Sequence, residues 1–302
     1  MTAPILANQD TNQDANQDET ATRATTARDG RTAGLPAVLR WELRKLTAQI
    51  RSRAVLLGAL LGPIPVVMII HAQSQPPKDT LFGRYATTNG FSLALLLLGF
   101  AAQWVLPLLA AIVAGDIFAS EDQHGTWKTV LTRSASRGRV FWAKVITACL
   151  FTVVMLVLLS ASTITAALVV GGHQPLTGVS GQLISSHEAL KLVAAAWATT
   201  LAPTLGFTCL AILLSVATRN PAAGIAAPAV LGMVMQLLGN LGSIAGLRTV
   251  LLSTPYEAWH GLMAAPRFTG PLVDGLIVSA VWCVVCLAAA FVQVRRRDIT
   301  GG

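Results

Sequence analysis

Charged side chains are scarce in this sequence of 302 residues. They make up 12% of it, against about 25% in an ordinary soluble domain. A soluble fold with so little charge has too little polar surface to cover itself. Cysteine and histidine are also rare, at four and five residues. Cys149, Cys209, Cys283 and Cys286 all lie inside apolar runs, where a thiol packs as a small hydrophobe. Cys283 and Cys286 sit about one helical turn apart, but a metal site needs more ligands than two thiols, and His71, His124, His173, His187 and His260 are scattered. The chain contains no GxxxxGK[ST] phosphate loop, no HExxH and no GxSxG. These gaps argue against ATP hydrolysis on this chain and against intramembrane hydrolase chemistry, which needs a nucleophile with its base or a metal. We therefore expect no catalytic residue, no metal and no bound cofactor.

Apolar length is what the chain has in abundance. It is 53% hydrophobic, with a mean hydropathy of +0.60. A hydrocarbon layer of about 30 Å needs about 20 apolar helical residues to cross it. Six segments meet or approach that length, at residues 54–70, 91–115, 145–170, 192–217, 221–239 and 275–294. The expected fold is an all-α membrane protein of six transmembrane helices. Pro63 and Pro65 interrupt the first run, which a membrane helix tolerates when its neighbours satisfy the freed backbone groups. None of the six segments holds Asp, Glu, Lys, Arg or His. Proton- or ion-coupled transport normally needs such groups within the spans, so this counts against a secondary transporter.

The net charge of +8 follows from where the basic residues fall, without nucleic-acid binding. With the N-terminus in the cytoplasm, fourteen Lys and Arg flank the inner ends of the spans and five flank the outer ends. That asymmetry places both termini inside. Residues 1–34 are polar and repetitive (NQDTNQDANQDE) and lack the apolar core of a cleaved signal. They read as a disordered cytoplasmic tail, and residues 35–302 as the membrane domain.

Residues 36–53 read PAVLRWELRKLTAQIRSR. Leu39, Leu43, Leu46 and Ile50 recur at helical spacing on one face, and Arg40, Arg44, Lys45, Arg51 and Arg53 occupy other positions. This predicts an amphipathic interfacial helix, including Trp41 and Glu42, with its basic face toward anionic head groups.

The connection between the second and third spans carries the most information. It opens on Asp116, Glu121 and Asp122, continues through Gly125-Thr126, and ends on Arg133, Arg137, Arg139 and Lys144. Trp127, Val130 and Leu131 share one helical face, while Lys128 and Arg133 stay polar. A short helix of this build suits docking into a groove on another protein. The pattern resembles the permeases of the ABC-2 type transporter superfamily. In them the corresponding loop runs from Glu through Gly-Thr and an apolar-basic stretch to an Arg, and then to a Lys opening the third span. The matching positions are Glu121, Gly125, Thr126, Arg137 and Lys144. Where that family often has Pro, this chain has Ser134-Ala135-Ser136.

The resemblance implies an exporter permease in the cell membrane. It would work with a separate ABC ATPase subunit that holds the ATP and Mg, and with a second permease chain, identical or related. Glu121, Asp122, Gly125, Thr126, Trp127, Lys128, Arg133 and Arg137 would receive the ATPase movement together with the interfacial helix. A non-transporting anchor or sensor for a partner complex is the alternative. Gln103, Thr200, Thr204, Gln236 and Asn240 are the polar groups within apolar runs, suited to interhelical hydrogen bonds or to a pathway or helix seam. Tyr256, Trp259 and Phe268 precede the sixth span and are expected at head-group depth. The same reading predicts that Gly125→Pro or Glu121→Lys uncouples ATP hydrolysis from transport without blocking insertion. Parallel transport and membrane-expression assays check this.

Overall fold

A computed structural model describes residues 34–73, 80, 82–123, 136–240 and 245–296. Helix dominates. A leading helix, α1 (Leu35–Ala48), is followed by six helices long and apolar enough to cross a membrane. These are α2 (Ile50–His71), α3 (Gly90–Gln123), α4 (Arg137–Gly171), α5 (Ser186–Thr218), α6 (Pro221–Gly239) and α7 (Gly270–Arg296). Each contains one of the predicted segments, and all but α6 run beyond it. Most of the predicted spans stop beside a charge, whereas the helices continue through charged residues. In α4, for example, the helix starts after Ser136 and carries Lys144 two turns inside. The one departure from an all-helical pattern among the described residues is a two-residue antiparallel ribbon, Leu176–Thr177 with Leu183–Ile184, in the connection after α4.

Burial divides the helices into an inner pair and an outer set. α3 and α5 are the most enclosed, while α2, α4, α6 and α7 keep most of their apolar residues on the outside. Leu57, Met68, Met233, Leu237, Ile277 and Val284 are all more than half exposed. Apolar surface on this scale is not tolerated in water and suits lipid.

Irregularities in the helices fall where the backbone chemistry demands them. Pro107 has no N–H and its ring crowds the carbonyl one turn back. The chain responds with a π turn over Ala101–Val105 just before the helix resumes at Leu106. Gly62 keeps helical angles, so Pro63 follows at a first-turn position and α2 passes through. α5 breaks briefly at Thr200, ahead of Pro203.

At one end of the bundle, Asn89 caps α3. Its Oδ1 accepts from the N–H groups of Phe91 (2.9 Å) and Ser92 (3.2 Å), and its Nδ2 donates to the carbonyls of Gln174 and Pro175. A single side chain thereby satisfies orphan donors and ties α3 to the segment after α4. At the other end, Gly115 and Gly224 bring α3 and α6 into backbone contact, and a Cβ on either would run into the other's carbonyl oxygen. Gly115→Ala or Gly224→Ala is expected to cost about 1–3 kcal/mol by overpacking, read as a lowered Tm in mild detergent. Gly58→Ala, where nothing lies within 4 Å, should not lower Tm and should raise it slightly, since alanine favours helix over glycine.

Candidate functional site

α3 does not run smoothly to its end. After Ala114 the helix opens into a turn over residues 115–118 and closes again as the short piece Ala119–Gln123. The opened turn leaves backbone groups without helical partners, and side chains from other helices take them up. Ser215 Oγ of α5 accepts from the N–H groups of Phe118 (3.2 Å) and Ala119 (3.0 Å). The Ile117 carbonyl accepts from Lys144 Nζ of α4 at 3.2 Å. Buried backbone polar groups need such partners.

Lys144 is the centre of the arrangement. Its side chain is 1% exposed, and its Nζ also lies 3.0 Å from Glu42 Oε2 of α1 and 2.7 Å from Glu121 Oε1 of α3. An ammonium group has three donors, and here each has its own acceptor, one on α1 and two on α3. Glu42 and Glu121 are themselves 3% and 1% exposed in their side chains. A second ammonium, Lys45 Nζ of α1, reaches Glu121 Oε1 at 2.6 Å from a more open position. Two carboxylates and two ammonium groups therefore balance. Beside them, Arg51 Nη1 at the start of α2 pairs with Asp116 Oδ1 at 2.8 Å. Phe118 closes the apolar side, with the Lys144 Nζ 5.7 Å from its ring centroid. α4 is held to α7 at the same end through Phe141 against Phe291 (5.2 Å between centroids) and Arg137 Nη1 donating to the Arg295 carbonyl.

Several expectations need correction against this geometry. The stripe Leu39, Leu43, Leu46, Ile50 does not form one face, because the chain leaves helix at Gln49. Ile50 belongs to α2 and is strongly exposed, whereas Leu46 is buried. Glu42 shares the buried face with Leu46, while Arg40, Trp41 and Arg44 point outward. Lys144 is a buried residue of α4, not part of an exposed loop. Glu121→Lys would set a third ammonium against one remaining carboxylate, so it tests stability as well as coupling. Asp122 is half-buried. Gly125, Thr126, Trp127, Lys128 and Arg133 lie outside the described residues, as do His124, Val130 and Leu131 and the tail through residue 33.

The polar residues of the spans separate into two groups. Thr200 and Thr204 are buried and turn their hydroxyls onto the carbonyls of Trp197 and Thr200. Thr204 Oγ1 also shares a hydrogen bond with the Tyr256 hydroxyl at 3.1 Å, and Thr208 does so with Thr152 at 2.9 Å. These groups pack helices together. Gln103 and Gln236 instead come together on a cavity of about 380 Å³, walled also by Phe82, Phe100, Trp259 and His260. Gln103 sits on the π turn of α3. The side chain of Asn240 falls outside the described residues.

Tyr256 and Trp259 are enclosed by protein. They belong to a buried 3-10 helix, Thr254–Met263, which folds back against α5 and α7. Thr204 is fourteen residues from the Thr218 end of α5, or about 21 Å along a helix, so the Tyr256 contact lies deep in the bundle. Phe268 is exposed.

A signal for the charged cluster was present in the sequence. Leu39, Glu42 and Leu46 are spaced i, i+3, i+7, which puts a carboxylate on an apolar face. Lys144 likewise stands alone between Val140-Phe141 and a long apolar run. What no spacing reveals is that these residues, 102 positions apart, meet.

A family model described as "Protein of unknown function (DUF2705)" matches residues 67–300. No curated protein matches the chain. The matched region contains Glu121 and Lys144, while α1 with Glu42 and Lys45 precedes it.

Lys144→Met would leave two buried carboxylates facing each other with only Lys45 nearby. Breaking a buried pair in this way costs about 3–5 kcal/mol. The expected result is a strongly lowered Tm for the purified protein, partly recovered in Lys144→Met/Glu42→Gln, which removes one orphaned charge. Equal Tm for the wild type and Lys144→Met would refute the cluster's structural role.

Proposed function

We propose that this chain, which belongs to the DUF2705 family, is the membrane-spanning permease subunit of an ATP-driven exporter, working with a separate ATPase subunit. The observation that carries the reading is the clamp on Lys144. It joins the leading helix, the end of the second span and the start of the third at one charged node. A movement imposed on the loop between α3 and α4 reaches α1 and α4 together through it. The sequence resemblance to ABC-2 permeases supports a motor contact on the same loop.

The clamp belongs on the cytoplasmic side of the cell membrane in this reading, because the Lys and Arg excess lies at that end of the bundle. Both termini are then cytoplasmic. α1 lies along the inner interface, with Arg40, Trp41 and Arg44 toward head groups. ATP and Mg bind the partner, in keeping with the lack of a phosphate loop in this sequence. A second permease chain completes the complex.

A motor biases a two-state bundle only through contacts that differ between the states. Lys45 fits that role: it is a third exposed where Lys144 and Glu121 are closed in, so its tie breaks without stranding a buried ammonium. The cavity between Gln103 and Gln236 lies in the opposite half of the bundle, bordered by the fold-back helix. A bundle that opens and closes there has an amphipathic lining to offer a cargo.

Reconstitution with the ATPase subunit that co-purifies with this chain tests the proposal. Lys45→Met is expected to insert and assemble normally but to export roughly tenfold less per ATP hydrolysed, within the usual range of a coupling free energy. Export unchanged in both Lys45→Met and Gly125→Pro would overturn the coupling role. Failure of any ATPase to co-purify would favour the anchor or sensor reading instead. Labelling of a thiol introduced between residues 121 and 133 by an impermeant reagent in intact cells would reverse the orientation and end the proposal.

A further inference from the structure

At the end of the bundle away from the clamp, the Thr254–Met263 helix leans on the first turns of α7 and leaves a cavity on each flank. One, of about 590 Å³, is walled by Arg248, Thr254, Pro255, Glu257, Asp274 and Ile277 among others. The other, of about 410 Å³, has an apolar wall that includes Leu201, Leu205, Leu272 and Leu276. Pro255, Ala258 and Gly275 border both. The two compartments thus meet where Gly275 lets α7 approach the fold-back helix; an ideal Cβ there would stand 3.0 Å from Pro255 Cβ. One compartment is charged and the other is greasy.

The charges in the first compartment do not balance. Arg248 pairs with Glu257 at 3.6 Å. Asp274 has neither an ion-pair nor a hydrogen-bond partner among the described residues. The lining therefore carries one uncompensated negative charge. α7 has 27 residues, about 40 Å of helix against about 30 Å of hydrocarbon. Asp274 is four residues from its start, or about 6 Å, which sets its carboxylate at head-group depth beside the apolar compartment.

We propose that the paired cavities bind a monocationic amphiphile from the bilayer, with its ammonium head on Asp274 and its alkyl chain lying past Gly275 against Leu205 and Leu276. Charge complementarity selects this occupant. One ammonium brings the lining to neutrality, a zwitterionic head leaves the charge in place, and an anionic head adds to it. Both volumes fall in the range of pockets that enclose small organic ligands, about 300–1,000 Å³. The inference concerns binding alone and stands independently of the export reading.

The test uses the full chain purified in neutral maltoside micelles at pH 7 and radiolabelled dodecylammonium. Saturable binding of one molecule per chain is expected. Asp274→Asn should weaken it about tenfold or more, the loss of one charge-assisted contact, with Tm unchanged. Leu276→Trp keeps every charge, fills the apolar compartment, and should lower the same binding; it carries the test if Asp274→Asn does not fold. Wild-type affinity in either folded variant would overturn the proposal. So would displacement by dodecylphosphocholine as effective as by unlabelled dodecylammonium, which would mark a site for zwitterionic lipid.

Discussion

An ammonium group withdrawn from water is costly unless each of its N–H bonds finds an acceptor, and Lys144 finds three. Glu42, Glu121 and the Ile117 carbonyl belong to the leading helix, the end of the second span and the turn that interrupts it. Much of the architecture at this end follows from meeting that demand. α1 lies against α4 because Glu42 must reach Lys144. The break in α3 after Ala114 frees a carbonyl for the same ammonium, and Ser215 takes up the N–H groups that the break exposes. Gly115 and Gly224 then allow α6 to close over the turn at backbone distance. The node is electrically balanced and largely closed to solvent. It is closed at Lys144 and partly open at Lys45.

The far end of the bundle is built differently. Asn89 joins α3 to the segment after α4 through neutral hydrogen bonds, and the connection before α7 folds inward as a 3-10 helix. Tyr256 meets Thr204 deep in the bundle. Because this helix occupies space between α5 and α7, it leaves cavities around itself. One is faced by Gln103 and Gln236, and two lie toward α7. A buried ionic node thus marks one end, and cavities cluster at the other.

The sequence and the structure part company at particular residues. The six spans were legible because about 20 consecutive apolar residues match the thickness of a hydrocarbon layer and leave no polar face for water. Their true lengths were not, because Asp116, Glu121 and Lys144 look like loop residues until each is seen to have a partner. Thr200 and Gln103 looked alike as polar groups in apolar runs, yet Thr200 returns its hydroxyl to its own helix while Gln103 faces a cavity. A threonine hydroxyl can reach a carbonyl one turn back; Gln103, on the π turn, lines a cavity instead. Tyr256 and Trp259 were expected at head-group depth because aromatics favour it; their spacing does not reveal that the path of their helix encloses both in protein.

By itself the sequence determined the class of the protein: few charges, long apolar runs and asymmetric basic flanks require six helices in a membrane-like solvent, since hydrophobic transfer is additive along the chain and needs no knowledge of contacts. Only the tertiary structure decided which charges are buried together and which polar residues face space. Those outcomes depend on distances between residues as far apart as Glu42 and Lys144, and a buried charge is stable only through the particular partner that the fold brings to it.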